Sequence, residues 1–141
     1  MENTILSCTS YRVLVVDDNA DAAEMLSIML ELHGHKVASA LDGVQALEVA
    51  RQLVPDVVLL DIGMPRLDGF EVCRRLRGTE LGRHMCIVAL TGWAGENERE
   101  AALAAGFEAY LAKPADVDTI IDTIRECADA NAQARMAGFG D

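Results

Sequence analysis

Three carboxylates, one hydroxyl and one lysine are the residues of this chain that could do chemistry together. Asp17 and Asp18 follow the run Tyr-Arg-Val-Leu-Val-Val, and Asp61 follows Val-Val-Leu-Leu. Thr91 closes Met-Cys-Ile-Val-Ala-Leu, and Lys113 closes Glu-Ala-Tyr-Leu-Ala. An unpaired buried charge is expensive, so an Asp that ends an apolar strand calls for a partner. Three neighbouring carboxylates repel one another unless protons or a cation hold them together. An all-oxygen set suits a hard cation; Mg²⁺ typically takes one or two carboxylates, several waters and a phosphate oxygen. A lysine and a hydroxyl supply what the equatorial oxygens of a transferring phosphoryl group need. A carboxylate is a competent nucleophile for that group and forms an aspartyl phosphate. Asp61 is the candidate reactive residue.

The elements that must position these residues can be read from periodicity. Tyr11 to Val16 predicts a first strand, with Asn19 as N-cap of a helix carrying Ala22, Leu26, Met29, Leu30 and His33 and closed by Gly34. Lys36 to Ala40 predicts a second strand, and Asp42-Gly43 opens a helix with Val44, Leu47, Ala50 and Val54 inward, stopped by Pro55. Val57 to Leu60 is a short apolar run of the kind buried on both faces. Asp68 and Glu71 start a third helix, with Phe70, Cys73 and Leu76 as its stripe and Arg74, Arg75 and Arg77 toward water. Gly78 to Arg83 reads as a polar connection and Met85 to Leu90 as a strand. A Glu/Ala-rich helix spans about Gly95 to Ala105, with Leu103 as its large anchor and Gly106 as its cap. Glu108 to Ala112 predicts the fifth strand, and Asp116 caps a last helix with the stripe Val117, Ile120, Ile121, Ile124 and Cys127. Beyond Ala128 no core pattern remains, so a frayed helix end and a tail are expected.

Strands alternating with crossover helices mean an α/β protein, (βα)₅, with a parallel sheet covered on both faces. In such a sheet all the strand carboxyl ends lie on one edge, which brings Asp17, Asp18, Asp61, Thr91 and Lys113 together.

Composition narrows the function classes. At 141 residues the chain is one domain. A net charge of −11 argues against a nucleic-acid surface and against docking on anionic membrane. No apolar run has the length of a membrane-spanning helix, and the first ten residues lack the basic region of a signal peptide. The cysteines Cys8, Cys73, Cys86 and Cys127 show no metal-site spacing, so free thiols in a reducing cytosol are expected. The histidines His33, His35 and His84 read as solvated side chains.

Residues 11–128 resemble a response-regulator receiver domain of two-component signalling, leaving residues 1–10 as an extension and 129–141 as a tail. The resemblance rests on four motifs in the family's order: the acidic pair, Asp61 in Leu-Asp-x-x-Met-Pro-x-x-Asp-Gly, Thr91 30 residues on, and Lys113-Pro114 with Lys113 52 residues on. It implies a flavodoxin-like doubly wound sheet of order 2-1-3-4-5, for which the handedness and switch-point rules of open α/β sheets apply. It also implies that Asp61 accepts a phosphoryl group from a histidine kinase or histidine phosphotransferase. Mg²⁺ would lie on Asp18, Asp61 and the carbonyl of Gly63, with Asp17 acting mainly through water. Lys113 would pair with the phosphoryl oxygens, and its bond to Pro114 would be cis. Thr91 and Tyr110 would form a switch altering the helix 4–strand 5–helix 5 face toward an unknown downstream protein. Such a chain is a cytoplasmic signalling module of a two-component system or phosphorelay, catalysing only its own phosphorylation and dephosphorylation.

Two positions depart from the commonest receiver pattern: Gly63 puts no side chain over the phosphoryl group, and Trp93 is large. Two other classes compete with this reading. An aspartyl-phosphate phosphatase usually carries a second Asp two residues after the nucleophile, where this chain has Gly63. A binding module that keeps the fold without phosphorylation is opposed by the intact set of Asp17, Asp18, Asp61, Thr91 and Lys113. The sequence has no output domain, which implies a stand-alone receiver or one from a hybrid kinase; the Met1 start and short tail favour the former.

Overall fold

Every residue of the strand Val57–Asp61, β3, is buried, because helices cover both faces of the sheet it centres. The structure is a computed structural model and describes residues 10–63, 68–92 and 96–139. Ahead of β3 come β1 (Arg12–Val16), α1 (Ala20–Leu32), β2 (Lys36–Ala40) and α2 (Gly43–Leu53). After it come α3 (Gly69–Arg77), a 3₁₀ turn (Leu81–His84), β4 (Cys86–Thr91), α4 (Glu96–Ala105), β5 (Ala109–Ala112) and α5 (Val117–Phe139). All neighbouring strands are parallel, in the order β2-β1-β3-β4-β5. This is the expected 2-1-3-4-5 sheet.

The two-residue alternation of the strands sorts the core into two layers. Leu14, Val16, Val58, Leu60, Ile87 and Ala89 face α2, α3 and α4, meeting Ala46, Ala50, Val72, Leu76 and Ala102. Val13, Val15, Val57, Leu59 and Val88 face the other way and meet Ala23 and Leu30 of α1 and Ile120, Ile121 and Ile124 of α5. The helices start where short polar side chains can take up free backbone donors. Asn19, Asp42, Asp68 and Asp116 each accept from a backbone N–H three residues on.

Several local expectations need correction. Cys86 and Cys127 are not free thiols: their sulfurs are bonded, joining β4 to α5. The 41-residue gap between them hides the pairing, which the crossover from β4 to α5 creates. Cys73 is a free, buried thiol. Arg77 does not face water; its guanidinium folds under α3 and donates to the carbonyls of Gly106 (2.9 Å), Gly82 (2.9 Å) and Met85 (2.7 Å). It also pairs with Glu108 at 3.2 Å. Val44 is exposed rather than inward, because Ala46 and Ala50 bring α2 close to the sheet. On α4 the buried positions are Ala102 and Ala105, while Leu103 is exposed.

His35 is not a solvated histidine. Its Nδ1 accepts the Tyr11 backbone N–H at 3.1 Å and its ring stacks on Tyr11. Burial, then the charges of His33 and Arg125, hold its pKa below the usual histidine value. The last helix continues past Ala128 to Phe139, through alanine-rich sequence of high helix propensity. Its extension is tied back by the Tyr11 hydroxyl donating to Asp129 and by Asn131 Nδ2 donating to the His84 carbonyl at 3.1 Å. Among the described residues, no helix is long and apolar enough to cross a membrane. Trp93, Cys8 and the Met64-Pro65 turn lie outside the described residues.

Candidate functional site

The winding of the chain reverses between β1 and β3, and the crevice this opens lies beyond the strand carboxyl ends. Asp61 stands there as the last residue of β3, with Asp17 and Asp18 just beyond β1. Ligand oxygens of these three carboxylates lie within 4.8 Å of one another. Asp17 and Asp61 are buried, while Asp18 opens to solvent.

Each carboxylate is oriented by backbone. The N–H of Asn19 donates to Asp17 Oδ1 at 2.9 Å, and the N–H of Gly63 donates to Asp61 Oδ1 at 3.1 Å. Just beyond β5 comes Lys113, whose Nζ donates to Asp17 Oδ2 at 2.9 Å and stands 3.5 Å from Asp61 Oδ2. The Lys113 backbone is fixed in turn. Its N–H donates to the Thr91 carbonyl at 2.6 Å, and its peptide bond to Pro114 is cis. A cis X-Pro bond redirects the chain within one residue, and here it follows directly on the lysine.

Electrostatics at the site follow from burial and pairing. Burial pushes the pKa of Asp61 above the ordinary Asp value, opposed by the Gly63 N–H and the charge of Lys113, with Asp17 adding to the rise. Burial works to lower the pKa of Lys113, but the hydrogen bond to Asp17 and the charges of Asp61 and Asp17 outweigh it. The result is a lysine held charged above its ordinary range beside a carboxylate that is unusually basic.

Thr91 ends β4 and is buried, one strand over from Asp61. Its hydroxyl is hydrogen-bonded with Tyr110 of β5, whose own pKa is raised by burial and by Glu98 of α4. Between the β3 and β4 ends and α4 lies a cleft of about 280 Å³, lined by Ile62, Phe70, Thr91, Asn97, Glu98 and Ala101. Asp17, Asp18, Asp61, Gly63, Thr91 and Lys113 thus fall at this one edge, and Tyr110, within β5 opposite Ala89, is linked to it through Thr91.

One contributor is easy to overlook. Gly69 begins α3, and its N–H donates to the Ile62 carbonyl at 3.2 Å. A Cβ there would lie 2.7 Å from Ile62 Cα and 2.8 Å from the Asp61 carbonyl oxygen. Only glycine lets the helix start so close behind the acidic residue. Its signal in the sequence is the Asp68-Gly69 pair, legible as a helix start but not as a close approach.

With this geometry established, three comparisons with known proteins agree. The family model of the response regulator receiver domain matches residues 13–125. The chain belongs to the response-regulator receiver family. Response regulator MprA of Mycobacterium tuberculosis is 44% identical over 116 residues, which is 82% of this chain and 50% of that protein. The receiver therefore spans about half the length of the curated relatives it matches. Chemotaxis protein CheY4 of Vibrio cholerae superposes with a TM-score of 0.80 at 29% identity, covering 84% of this chain and 99% of that one. The receiver domain of sensor histidine kinase PA1611 from Pseudomonas aeruginosa superposes with a TM-score of 0.78 at 33% identity, covering 86% and 99%. That structure holds a magnesium ion coordinated in its active-site cleft. Receivers are signalling modules rather than turnover enzymes, and the acidic cluster here is of the kind that holds their divalent cation.

Proposed function

We propose that this receiver accepts a phosphoryl group on Asp61 from a histidine kinase or histidine phosphotransferase, in the cytoplasm, and signals through a protein surface. The observation that carries the reading is the position of the Asp61 carboxylate: buried at the end of the central strand, within 4.8 Å of two further carboxylates and 3.5 Å from a fixed ammonium. The unit that does this is residues 11–128.

The chain's own groups divide the work. Asp61 attacks the phosphorus through Oδ2, the oxygen facing Lys113, while Oδ1 is held by the Gly63 N–H; the P–N bond of the donor phosphohistidine breaks and its imidazole leaves with the electron pair. The raised basicity of Asp61 favours nucleophilic attack. Lys113 follows the charge that develops on the phosphoryl oxygens, restrained by Asp17 so that little reorganisation is needed. Thr91 exchanges its bond with Tyr110 for one to a phosphoryl oxygen, which frees the tyrosine to turn toward the cleft beside α4. The α4–β5–α5 face then changes as a two-state element.

Mg²⁺ fits the donor set, three carboxylates with hard oxygen atoms within 4.8 Å. Asp18, Asp61 and the Gly63 carbonyl would hold it, with Asp17 acting through water, and it would neutralise phosphoryl charge. A donor must dock beside Asp61. The groove of about 670 Å³ between α1 and α5, lined by Asp17, Met25, Met29, Lys113, Pro114 and Val117, adjoins it. Exposed Met25, Ile28 and Leu32 extend that apolar surface along α1.

Intact mass after incubation with acetyl phosphate and Mg²⁺ tests the proposal. One phosphoryl adduct, lost in Asp61→Asn and with EDTA, is the expected result. No adduct under conditions that modify another receiver would leave the chain a binding module with an idle pocket.

A further inference from the structure

The Cys86–Cys127 bond lies far from the acidic crevice. Cys86 pairs with Val57, the first residue of β3, whereas Asp61 and Thr91 stand at the opposite ends of their strands. The two Cα atoms are 6.0 Å apart, an ordinary separation for a disulfide. The two sulfurs have different surroundings. Cys86 has no exposure and lies in the apolar layer with Val88, Ile120 and Ile124. Cys127 is half-buried on the flank of α5, its Sγ 3.7 Å from Glu108 Oε1 at the surface. The third described cysteine makes a contrast: burial pushes the Cys73 thiol up to about 11, so it carries almost no thiolate at neutral pH.

We propose that Cys86–Cys127 is a reversible redox modification site, opened and closed by small-molecule thiols and disulfides, whose state sets how firmly the second half of α5 is held to the sheet. The inference stands apart from the phosphoacceptor reading and needs no phosphorylation.

Attack comes at the accessible sulfur. A small thiolate bonds to Cys127 Sγ, the Cys86–Cys127 bond breaks, and Cys86 leaves with the electron pair and takes a proton. A second small thiolate attacks the small-molecule sulfur of the mixed disulfide and releases Cys127, which is protonated in turn. The balance is one cystine and two small thiols giving two cysteines and one small disulfide; closure is the reverse. Two features keep the exchange slow. Glu108 repels an incoming thiolate, an effect reduced but not cancelled by its pairing with Arg77. A Cys86 thiolate would be released into an apolar layer, so opening requires α5 to shift.

Opening does not unfold the domain, because Ile120, Ile121 and Ile124 keep the first half of α5 docked. Among the described side chains, the second half then keeps Ala128 in the core and the surface hydrogen bonds of Tyr11 to Asp129 and of Asn131 to His84. This is the part of the helix that reads out the bond.

The test equilibrates the full chain in glutathione buffers from reduced to oxidised, blocks free thiols with a maleimide mass tag, and maps the tags. Two tags should disappear together as one two-electron step, assigned to Cys86 and Cys127 and absent from both Cys127→Ser and Cys86→Ser. Amide hydrogen exchange at residues 125–131 should speed up several-fold on reduction, with β3 unchanged. Thiols that tag fully at every ratio, a bond that survives a large excess of reduced glutathione, or unchanged exchange in α5 would each overturn the proposal.

Discussion

Lys113 donates its hydrogen bond to Asp17 at 2.9 Å, while facing Asp61 at 3.5 Å. The lysine is therefore restrained by a residue other than the proposed nucleophile. Its ammonium lies beside Asp61 without occupying the carboxylate fully, and a phosphoryl oxygen can take up the remaining donors.

Replacing that ammonium tests the arrangement directly. Lys113→Met keeps the apolar stem but removes the charge that, on the proposed reading, meets the developing phosphoryl oxygens. Loss of one such preorganised group typically costs about 10²–10³-fold in rate. Phosphorylation of Lys113→Met by acetyl phosphate, followed by intact mass, should slow by that order while circular dichroism stays unchanged. A rate within a few-fold of wild type would remove Lys113 from the reaction.

Asp61 should burden the metal-free fold at neutral pH. Its folded pKa is raised by burial, so the native state binds its proton more tightly than the unfolded chain does. Below the ordinary Asp value of about 4 both states are protonated and the group contributes nothing. As pH rises through the raised folded value, a charge must be carried in a buried site, and stability is lost. Asp61→Asn should therefore melt higher than wild type at pH 7 without Mg²⁺. The gap should close toward pH 4 and shrink when Mg²⁺ binds the wild type. A metal-free mutant that melts lower than wild type at pH 7 contradicts this account.

The strand–helix alternation and the acidic edge were legible in the sequence because both follow from local signals, whereas the strand order 2-1-3-4-5 was implied only by the resemblance to receivers. Apolar runs ending in Asp, Thr or Lys mark strand carboxyl ends, and βα alternation sends those ends to one edge. What escaped depends on contacts made across the fold. Arg77 looks solvated beside Arg74 and Arg75, since nothing in its neighbours reveals three backbone carbonyls arriving from other segments. Leu103 outranks Ala102 in hydrophobicity, yet the alanine is buried because α4 packs closely. Cys86 and Cys127 carry no spacing motif, although a strand and the inward stripe of the helix that covers it hold one each.

Gly69 ties helix packing to the chemistry. A methyl group there would meet Ile62 Cα at 2.7 Å and the Asp61 carbonyl oxygen at 2.8 Å, both backbone atoms with little room to yield. Gly69→Ala should cost about 1–3 kcal/mol in urea unfolding, as overpacking does. The same displacement moves the backbone of Asp61, the proposed nucleophile, so phosphorylation of the folded mutant should also slow. If stability falls and the rate does not, the strain is relieved by α3 rather than passed to Asp61.

Arg77 is the most consequential charge outside the crevice. It gathers the carbonyls of Gly82, Met85 and Gly106 and the Glu108 carboxylate around one planar fork, joining the end of α3 to the segments that enter β4 and β5. Arg77→Ala leaves three carbonyls without this donor, in a region where water reaches them poorly. The expected loss is about 2–4 kcal/mol by chemical denaturation. Arg77→Lys should recover little of it, because a point ammonium cannot serve several acceptors in the guanidinium's plane. Near-complete recovery by lysine would mean that charge alone, through Glu108, is what matters. Because the hub lies at the sheet edge away from Asp61, the folded fraction of Arg77→Ala should still take up one phosphoryl group.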